Sequence, residues 1–221
     1  MGDGGQLPTG TVTFLFTDIE GSTRLAHELG AEYESLLDAH RSIVRSAIAK
    51  SGGVEVACPG DGFVLAFAHA SDAVDAASAA QRELTSFPWP DHAPLKVRMG
   101  VHSGPVRVTS TGGTYVGLAI HEAARVMDAA HGGQILVSGT AHSLLERAVD
   151  GAFVDLGHHE LRDIEGPKRL YEMRGDGLPV GFSPPREAIA PGNLPTPNRS
   201  SVALKTSRRS RTRFARGDWS R

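Results

Sequence analysis

A single cysteine, Cys58, leaves no partner for an internal disulfide and no cysteine set for a zinc site, so a disulfide scaffold is excluded. No apolar run reaches the ~18 residues a membrane span needs, so no membrane partner is expected. The opening MGDGGQLPTG has neither a basic start nor an apolar stretch. No secretory leader is therefore expected, and a cytoplasmic location is the default. Net charge is nearly missing too: 23 Lys and Arg against 25 Asp and Glu give −2, no strong attraction to nucleic acid for the chain as a whole. The rest is ordinary globular composition, 40% hydrophobic and 22% charged over 221 residues, which rules out a wholly disordered or collagen-like chain.

The small net charge hides an asymmetry. Residues 177–221 hold nine Lys or Arg against two acids, Glu187 and Asp218, and six of the 13 prolines. The segment shows no apolar period and ends in a Ser-, Thr- and Arg-rich run, so residues 176–221 read as a disordered basic tail. Phe214 and Trp219 among the arginines leave a second reading, a basic arm contacting nucleic acid or an acidic partner.

Residues 8–175 read as one α+β domain of alternating strands and helices. Thr11–Ile19 is a β-branched and aromatic run, hence a strand, with Ser22 as the N-cap of a helix to Leu29. Leu36, Leu37, Ile43, Val44, Ala47 and Ile48 recur at helical spacing until Gly52 and Gly53 stop them. Val54–Cys58 and Phe63–Phe67 flank Pro59-Gly60-Asp61-Gly62 as a hairpin. Ser71 is expected to cap an alanine-rich helix to about Leu84. Lys96–Val101 and Pro105–Thr109 read as two strands separated at Ser103-Gly104. Helices over 117–130 and 140–147, and strands over 134–137, 153–156 and 170–173, complete the pattern.

Chemistry concentrates in two acidic turns. Asp18 ends the first strand and is followed by the small-residue turn Glu20-Gly21-Ser22-Thr23 into a helix. Backbone N–H groups at a helix start beside a carboxylate suit a phosphate bridged to a divalent cation. Asp61 sits at a hairpin tip between two glycines, where the backbone can approach a ligand closely. If the two strands are neighbours, Asp18 and Asp61 can share one or two Mg²⁺ ions, since two carboxylates plus substrate phosphates suit that ion. Taken alone, an Asp in a Gly-rich turn is more often a turn former.

Four segments sharpen this reading: FTDIEGST at Phe16–Thr23, PGDGFVLAF at Pro59–Phe67, RMGVHSGPV at Arg98–Val106 and YVGLAIHEAARVM at Tyr115–Met127. In this order they resemble the catalytic domain of class III adenylate/guanylate cyclases. HGGQILVSG at His131–Gly139 and LRDIEGPKRLYEM at Leu161–Met173 resemble the later strands of its bacterial branch. The resemblance covers about residues 11–173 and leaves out the tail. It implies a ferredoxin-like βαββαβ sandwich with additional strands. It implies conversion of ATP or GTP to a 3′,5′-cyclic monophosphate and pyrophosphate, at sites between two domains of a head-to-tail homodimer or of a heterodimer with another cyclase domain. Two Mg²⁺ or Mn²⁺ would be held by Asp18, Asp61 and the Ile19 carbonyl, and the backbone of Glu20, Gly21, Ser22 and Thr23 would cradle the phosphates. The family's transition-state arginine falls on Arg125.

The departures are equally specific. The purine-selecting lysine falls on Ala57, which cannot hydrogen-bond a base, and its partner aspartate on Thr114. The transition-state asparagine falls on His121, which keeps one ring N–H as a donor. Weak or relaxed base selection is the expectation. The competing reading is a degenerate domain that binds nucleotide, or pairs with another cyclase chain, without catalysis. His158-His159 does not read as a metal pair, because adjacent strand residues face opposite ways. Cys58 reads as a buried small residue, and His102-Ser103 lacks an identifiable third partner for nucleophilic chemistry.

Overall fold

Strand β1 (Gly10–Ile19) is the axis of the sheet, hydrogen-bonded on both sides and buried along most of its length. The computed structural model describes residues 6–109, 114–145 and 153–187. After β1 come α1 (Ser22–Leu29), α2 (Glu32–Lys50), β2 (Val54–Ala57), β3 (Phe63–Phe67) and α3 (Ala70–Ser86). Strand β4 (Val97–Val108), the short β5 (Tyr115–Val116), α4 (Leu118–Ala129) and β6 (Ile135–Ser138) follow. The order closes with α5 (Gly139–Ser143), β7 (Phe153–His159) and β8 (Lys168–Met173).

The sheet runs β2-β3-β1-β4-β6-β8-β7, with β5 paired to β4 off this path. Its first four strands and the helices α2 and α3 make the expected βαββαβ unit, with β1 antiparallel to both β3 and β4. The later strands extend the sheet from β4 through a parallel β4–β6 pairing. Alternation along the strands divides the core. Leu15, Ile19, Val97, Met99 and Val101 face α1, α2 and α3 in one cluster. Val12 and Phe14 face the other way, onto Ala119 and Ala123 of α4.

Helix α4 lies on β4 at backbone contact distance. A Cβ at Gly100 would fall 2.2 Å from the Met127 nitrogen, and one at Gly104 would fall 2.8 Å from the Ala119 Cβ. The Ser103-Gly104 pair therefore marks a helix contact and not a turn. The two strands expected over 96–109 are one continuous strand, buried from Met99 to Gly104. Two helix starts also differ from expectation. The residue before α1 is Gly21, in the left-handed region at φ 70°, and α3 is preceded by His69, with no side-chain cap at either. The short helix expected to reach Arg147 ends at Ser143, and residues 146–152 lie outside the described ones.

Composition placed residues 176–187 in the tail, yet they pack as a strap along the domain. Leu178 joins the main core, the Arg186 N–H donates to the Ala129 carbonyl, and Arg82 donates to the Asp176 carbonyl. The remaining tail, 188–221, with Phe214 and Trp219, lies outside the described residues.

His40, on the inner side of α2, is fully buried beside Phe63, and neither ring nitrogen has a hydrogen-bond partner among the described residues. Burial pushes its pKa down to about 4, against the opposing charge of Asp61. The imidazole is neutral at pH 7 and resists protonation in the fold.

Two measurements test this architecture. Gly100→Ala should lower stability to chemical denaturation by about 2–3 kcal/mol, because the helix backbone must shift to admit a methyl group. The unfolded chain protonates His40 near pH 6.5, the folded one only near 4. Its contribution is therefore complete above pH 6.5 and disappears as pH falls to 4, a loss of about 3 kcal/mol. Denaturation curves of His40→Leu should show that slope flattened; an unchanged slope would assign the acid sensitivity to other groups.

Candidate functional site

The β1–β3 pairing aligns Thr17 with Phe63, so the end of β1 and the hairpin tip before β3 are neighbours, as the two-aspartate reading requires. The Ile19 N–H donates to Asp61 Oδ2 at 3.3 Å, which sets the second carboxylate beside the first. Gly62 makes the approach feasible: a Cβ there would lie 2.7 Å from the Thr17 carbonyl and 3.8 Å from Asp18 Oδ1. Helix α2 holds the hairpin from below, with Arg41 donating to the Gly60 carbonyl at 2.8 Å.

Asp18 is half-buried and its carboxyl pKa is raised, chiefly by burial and further by the charges of Asp61 and Asp128. Arg98 opposes that rise. It is the β4 residue directly paired with Asp18, and its guanidinium donates twice to Asp18 Oδ2, at 2.9 and 2.5 Å. Asp18 Oδ1 accepts neither bond. Tyr33, Ser22, Thr23, Arg41 and Asp61 line an open cleft of about 380 Å³ at this turn. Burial raises the Tyr33 phenol pKa, and the Asp61 and Asp18 charges raise it further.

The donor set suits a hard divalent cation: two adjacent carboxylates, a main-chain carbonyl at Ile19 and excess negative charge. No group of three or more His, Cys, Asp or Glu side chains able to hold a metal occurs among the described residues. A site here thus relies on oxygens from water or substrate, as Mg²⁺ sites do. Glu20 follows Asp18 by two residues, with its side chain against Arg186 and Gly132. Burial alone would raise its pKa, but the Arg186 guanidinium and the Gly132 N–H hold it below the usual carboxylate range. Arg186 belongs to the strap, so that segment reaches the candidate phosphate turn.

Arg125 and His121 lie one turn apart on α4, His121 exposed and Arg125 half-buried. Arg125 donates to Asp128 and to Asp163, each at 2.9 Å. Arg98 lies 3.8 Å from Asp128, so an ion-pair chain runs from Asp18 through Arg98 and Asp128 to Arg125. Arg98, Arg125, Arg162 and Arg186 border a cleft of about 440 Å³ along it. Ala57 ends β2, exposed, just past a bulge, and Thr114 is exposed with its carbonyl accepting from the Thr109 N–H. Neither side chain touches the acidic turn in this single chain. His158 is exposed and His159 half-buried on opposite sides of β7, and Cys58 is free and half-buried at the edge of the main core.

Sequence reasoning missed Arg98, Asp128, Tyr33, Arg41 and Arg186. Arg98 has a sequence signal only once the register is known, because its role follows from standing opposite Asp18. His102 acquires partners that periodicity could not reveal. Its Nδ1 meets Ser138 Oγ at 2.9 Å and its Nε2 lies 3.0 Å from Glu122, while Ser103 bonds Thr13 instead. Ser138 Oγ is buried and shared with Thr140 and the Ala141 N–H, so it is committed to structure.

The family model for the adenylate and guanylate cyclase catalytic domain matches residues 6–174. An uncharacterized protein of Mycobacterium tuberculosis is 36% identical over 185 residues, covering 82% of this chain and 62% of that protein. A receptor-type adenylate cyclase of Trypanosoma congolense is 30% identical, over 75% of this chain and 28% of that protein. The chain thus spans about three-fifths of the length of the mycobacterial relative and far less of the trypanosomal one. Among solved structures, an adenylate cyclase from Trypanosoma brucei in its monomeric state superposes with a TM-score of 0.73 at 26% identity, over 85% of this chain and 99% of that one. An adenylyl cyclase from P. aeruginosa shares the fold at TM-score 0.62 and 23% identity, over 75% of this chain and 94% of that one. No described helix is long and apolar enough to cross a membrane. With the matched segment spanning the whole sheet and both acidic turns, the chain belongs to the adenylate and guanylate cyclase catalytic domain family.

Proposed function

We propose that this domain is a divalent-metal-dependent nucleotide cyclase, working as a dimer with sites between its two domains. The observation that carries the reading is the Ile19 N–H donating to Asp61 beside Asp18, which joins two carboxylates at one oxygen-rich turn. Asp18, Asp61 and the Ile19 carbonyl would hold two Mg²⁺ or Mn²⁺. Bound there, such ions lower the pKa of a coordinated hydroxyl and neutralise charge on transferring phosphate oxygens.

The chain's own residues do the rest. The Glu20 N–H is taken by the Lys96 carbonyl at 2.9 Å, so the backbone N–H groups of Gly21, Ser22 and Thr23 at the start of α1 would meet the triphosphate. Arg98 offsets part of the rise in the Asp18 pKa that burial, and further the charges of Asp61 and Asp128, impose. In the reaction, the substrate's 3′-oxygen attacks the α-phosphorus, the hydroxyl gives up its proton, and pyrophosphate leaves. Arg125 supplies a planar guanidinium for charge developing on the phosphoryl group, once it leaves Asp163. His121 stands one helical turn before it as a hydrogen-bond donor. Without a lysine at Ala57 or a carboxylate at Thr114, base selection is relaxed between ATP and GTP.

One observation favours a second reading, a nucleotide-binding or regulatory partner that does no chemistry. Both positions that would read the base lack the matching side chain, and Ala57 offers no hydrogen-bonding group at all. That reading predicts triphosphate binding without product, or product only in the presence of another cyclase chain.

Purified protein incubated with ATP or GTP and Mn²⁺ should yield cyclic nucleotide, measured by mass spectrometry, and Asp18→Ala should reduce it to background. Product unaffected by Asp18→Ala would sink the assignment. Mn²⁺ should also raise the melting temperature of the wild type by mass action but not that of Asp18→Ala, a readout independent of turnover.

A further inference from the structure

Helix α4 carries both His121 and Arg125, and apolar contacts seat it on the sheet: Ala119 and Ala123 cluster with Val12 and Phe14, and Val126 and Ala129 with Leu136 and Leu170. The side of β4 that faces it presents Arg98, Gly100, His102 and Gly104 in turn. Glycines at 100 and 104 let the helix backbone come close but contribute no side chain to key its rotation. Between them stands His102, 5% exposed, with its Nε2 against Glu122 of the helix.

Glu122 is a largely buried carboxylate, with its side chain 14% exposed. His102 Nε2 stands 3.0 Å from Glu122 Oε2, and Lys168 Nζ of β8 stands 2.8 Å from Oε1. The Nε2 contact with Glu122 is close but not aligned as a hydrogen bond, whereas Nδ1 and the Ser138 hydroxyl share one at 2.9 Å. Thr140, 3.2 Å from the same Nδ1, and Ser138 fix the ring from β6 and α5. The carboxylate is thus gripped from β4 on one side and β8 on the other. It sits next to His121 and three residues before Arg125.

We infer that Glu122, held between His102 and Lys168, is a positioning residue that fixes the rotation of α4 together with its apolar seat and thereby aims His121 and Arg125. Its link to turnover rests on the proposed function; the clamp itself does not. Glu122 makes no ion pair with Asp18 or the hairpin, so its loss acts on the helix first and on the metal-binding turn only through Asp128 and Arg98. The expected signature is therefore a fall in kcat at nearly constant KM.

The experiment combines two readouts on the full chain, with Mn²⁺ and the preferred triphosphate. In Glu122→Ala, amide hydrogen exchange over 118–129 should quicken by about tenfold while β1 and the hairpin are unchanged. Its kcat should fall by about a hundredfold, with KM within about twofold of wild type. Glu122→Gln keeps the size and an acceptor for His102, and should recover kcat to within about tenfold of wild type. Should the alanine variant not fold, Lys168→Met removes the outer grip at a partly exposed position. It should still quicken exchange in α4 by about threefold. Unchanged exchange in α4 overturns the inference, whatever the activity. Quickened exchange with unchanged kcat, or a loss expressed in KM alone, overturns the positioning role. A wild type that makes no product overturns the cyclase reading and, with it, the link between clamp and turnover.

Discussion

Two carboxylates of like charge meet at one end of β1, and much of the surrounding structure makes that tolerable. Asp18 is half-buried and its pKa rises under burial and the nearby charges of Asp61 and Asp128. Isolated, such a group would take up a proton or force the strands apart. Here the Ile19 N–H takes up one oxygen of Asp61, Arg98 takes one oxygen of Asp18, and Arg41 fixes the Gly60 carbonyl behind the turn. Asp61 borders an open cleft at this turn. A site that is electrostatically unfinished in the protein alone, but geometrically fixed, suits a ligand that brings its own positive charge.

The charge at that turn does not stay local. Arg98 spans Asp18 and lies within 3.8 Å of Asp128, and Asp128 holds Arg125. This geometry follows from the close seat of α4: only because Gly100 and Gly104 let the helix lie on β4 do Arg98 and His102 reach Asp128 and Glu122. Small residues on one strand thus set the reach of charged residues on its neighbours. Apolar contacts of Ala119, Ala123, Val126 and Ala129 seat the helix, and the polar contacts of Glu122 and Asp128 add to them.

Asp18 and Asp61 were legible because each combines a carboxylate with a local feature visible in the chain, a strand end or a Gly-flanked turn. Their partners were not. Arg98 looks like any polar residue in an amphipathic strand until β4 is known to pair with β1, and sheet neighbours have no signature in period-two alternation. The central strands are buried on both sides, so even the alternation is faint. Ser103-Gly104 was read as a break because small residues usually end strands; here they make room for a helix. Ser22 and Ser71 were read as caps, but neither side chain caps its helix. Proline and charge content placed the strap in the tail, although Leu178 and a few backbone bonds anchor it.

Ala57 and Thr114, the positions proposed to read the base, bear on the proposed chemistry less than their number suggests. Ala57 sits on the same hairpin as Asp61, so a lost side chain there could have unseated the carboxylate. The hairpin's support, however, comes from the Gly62 N–H on the Pro59 carbonyl, from Arg41 on Gly60 and from the Ile19 N–H on Asp61, and none of these involves residue 57. Thr114, before β5, is equally detached from the acidic turn. The position of the acidic turn is therefore mechanically independent of base reading. A chain can lose preference for a particular purine while keeping the oxygen cluster intact, because the two depend on different contacts. Altered base recognition is consequently weak evidence for a dead enzyme, whereas damage to Gly62, Arg41 or Arg98 would reach the carboxylates directly.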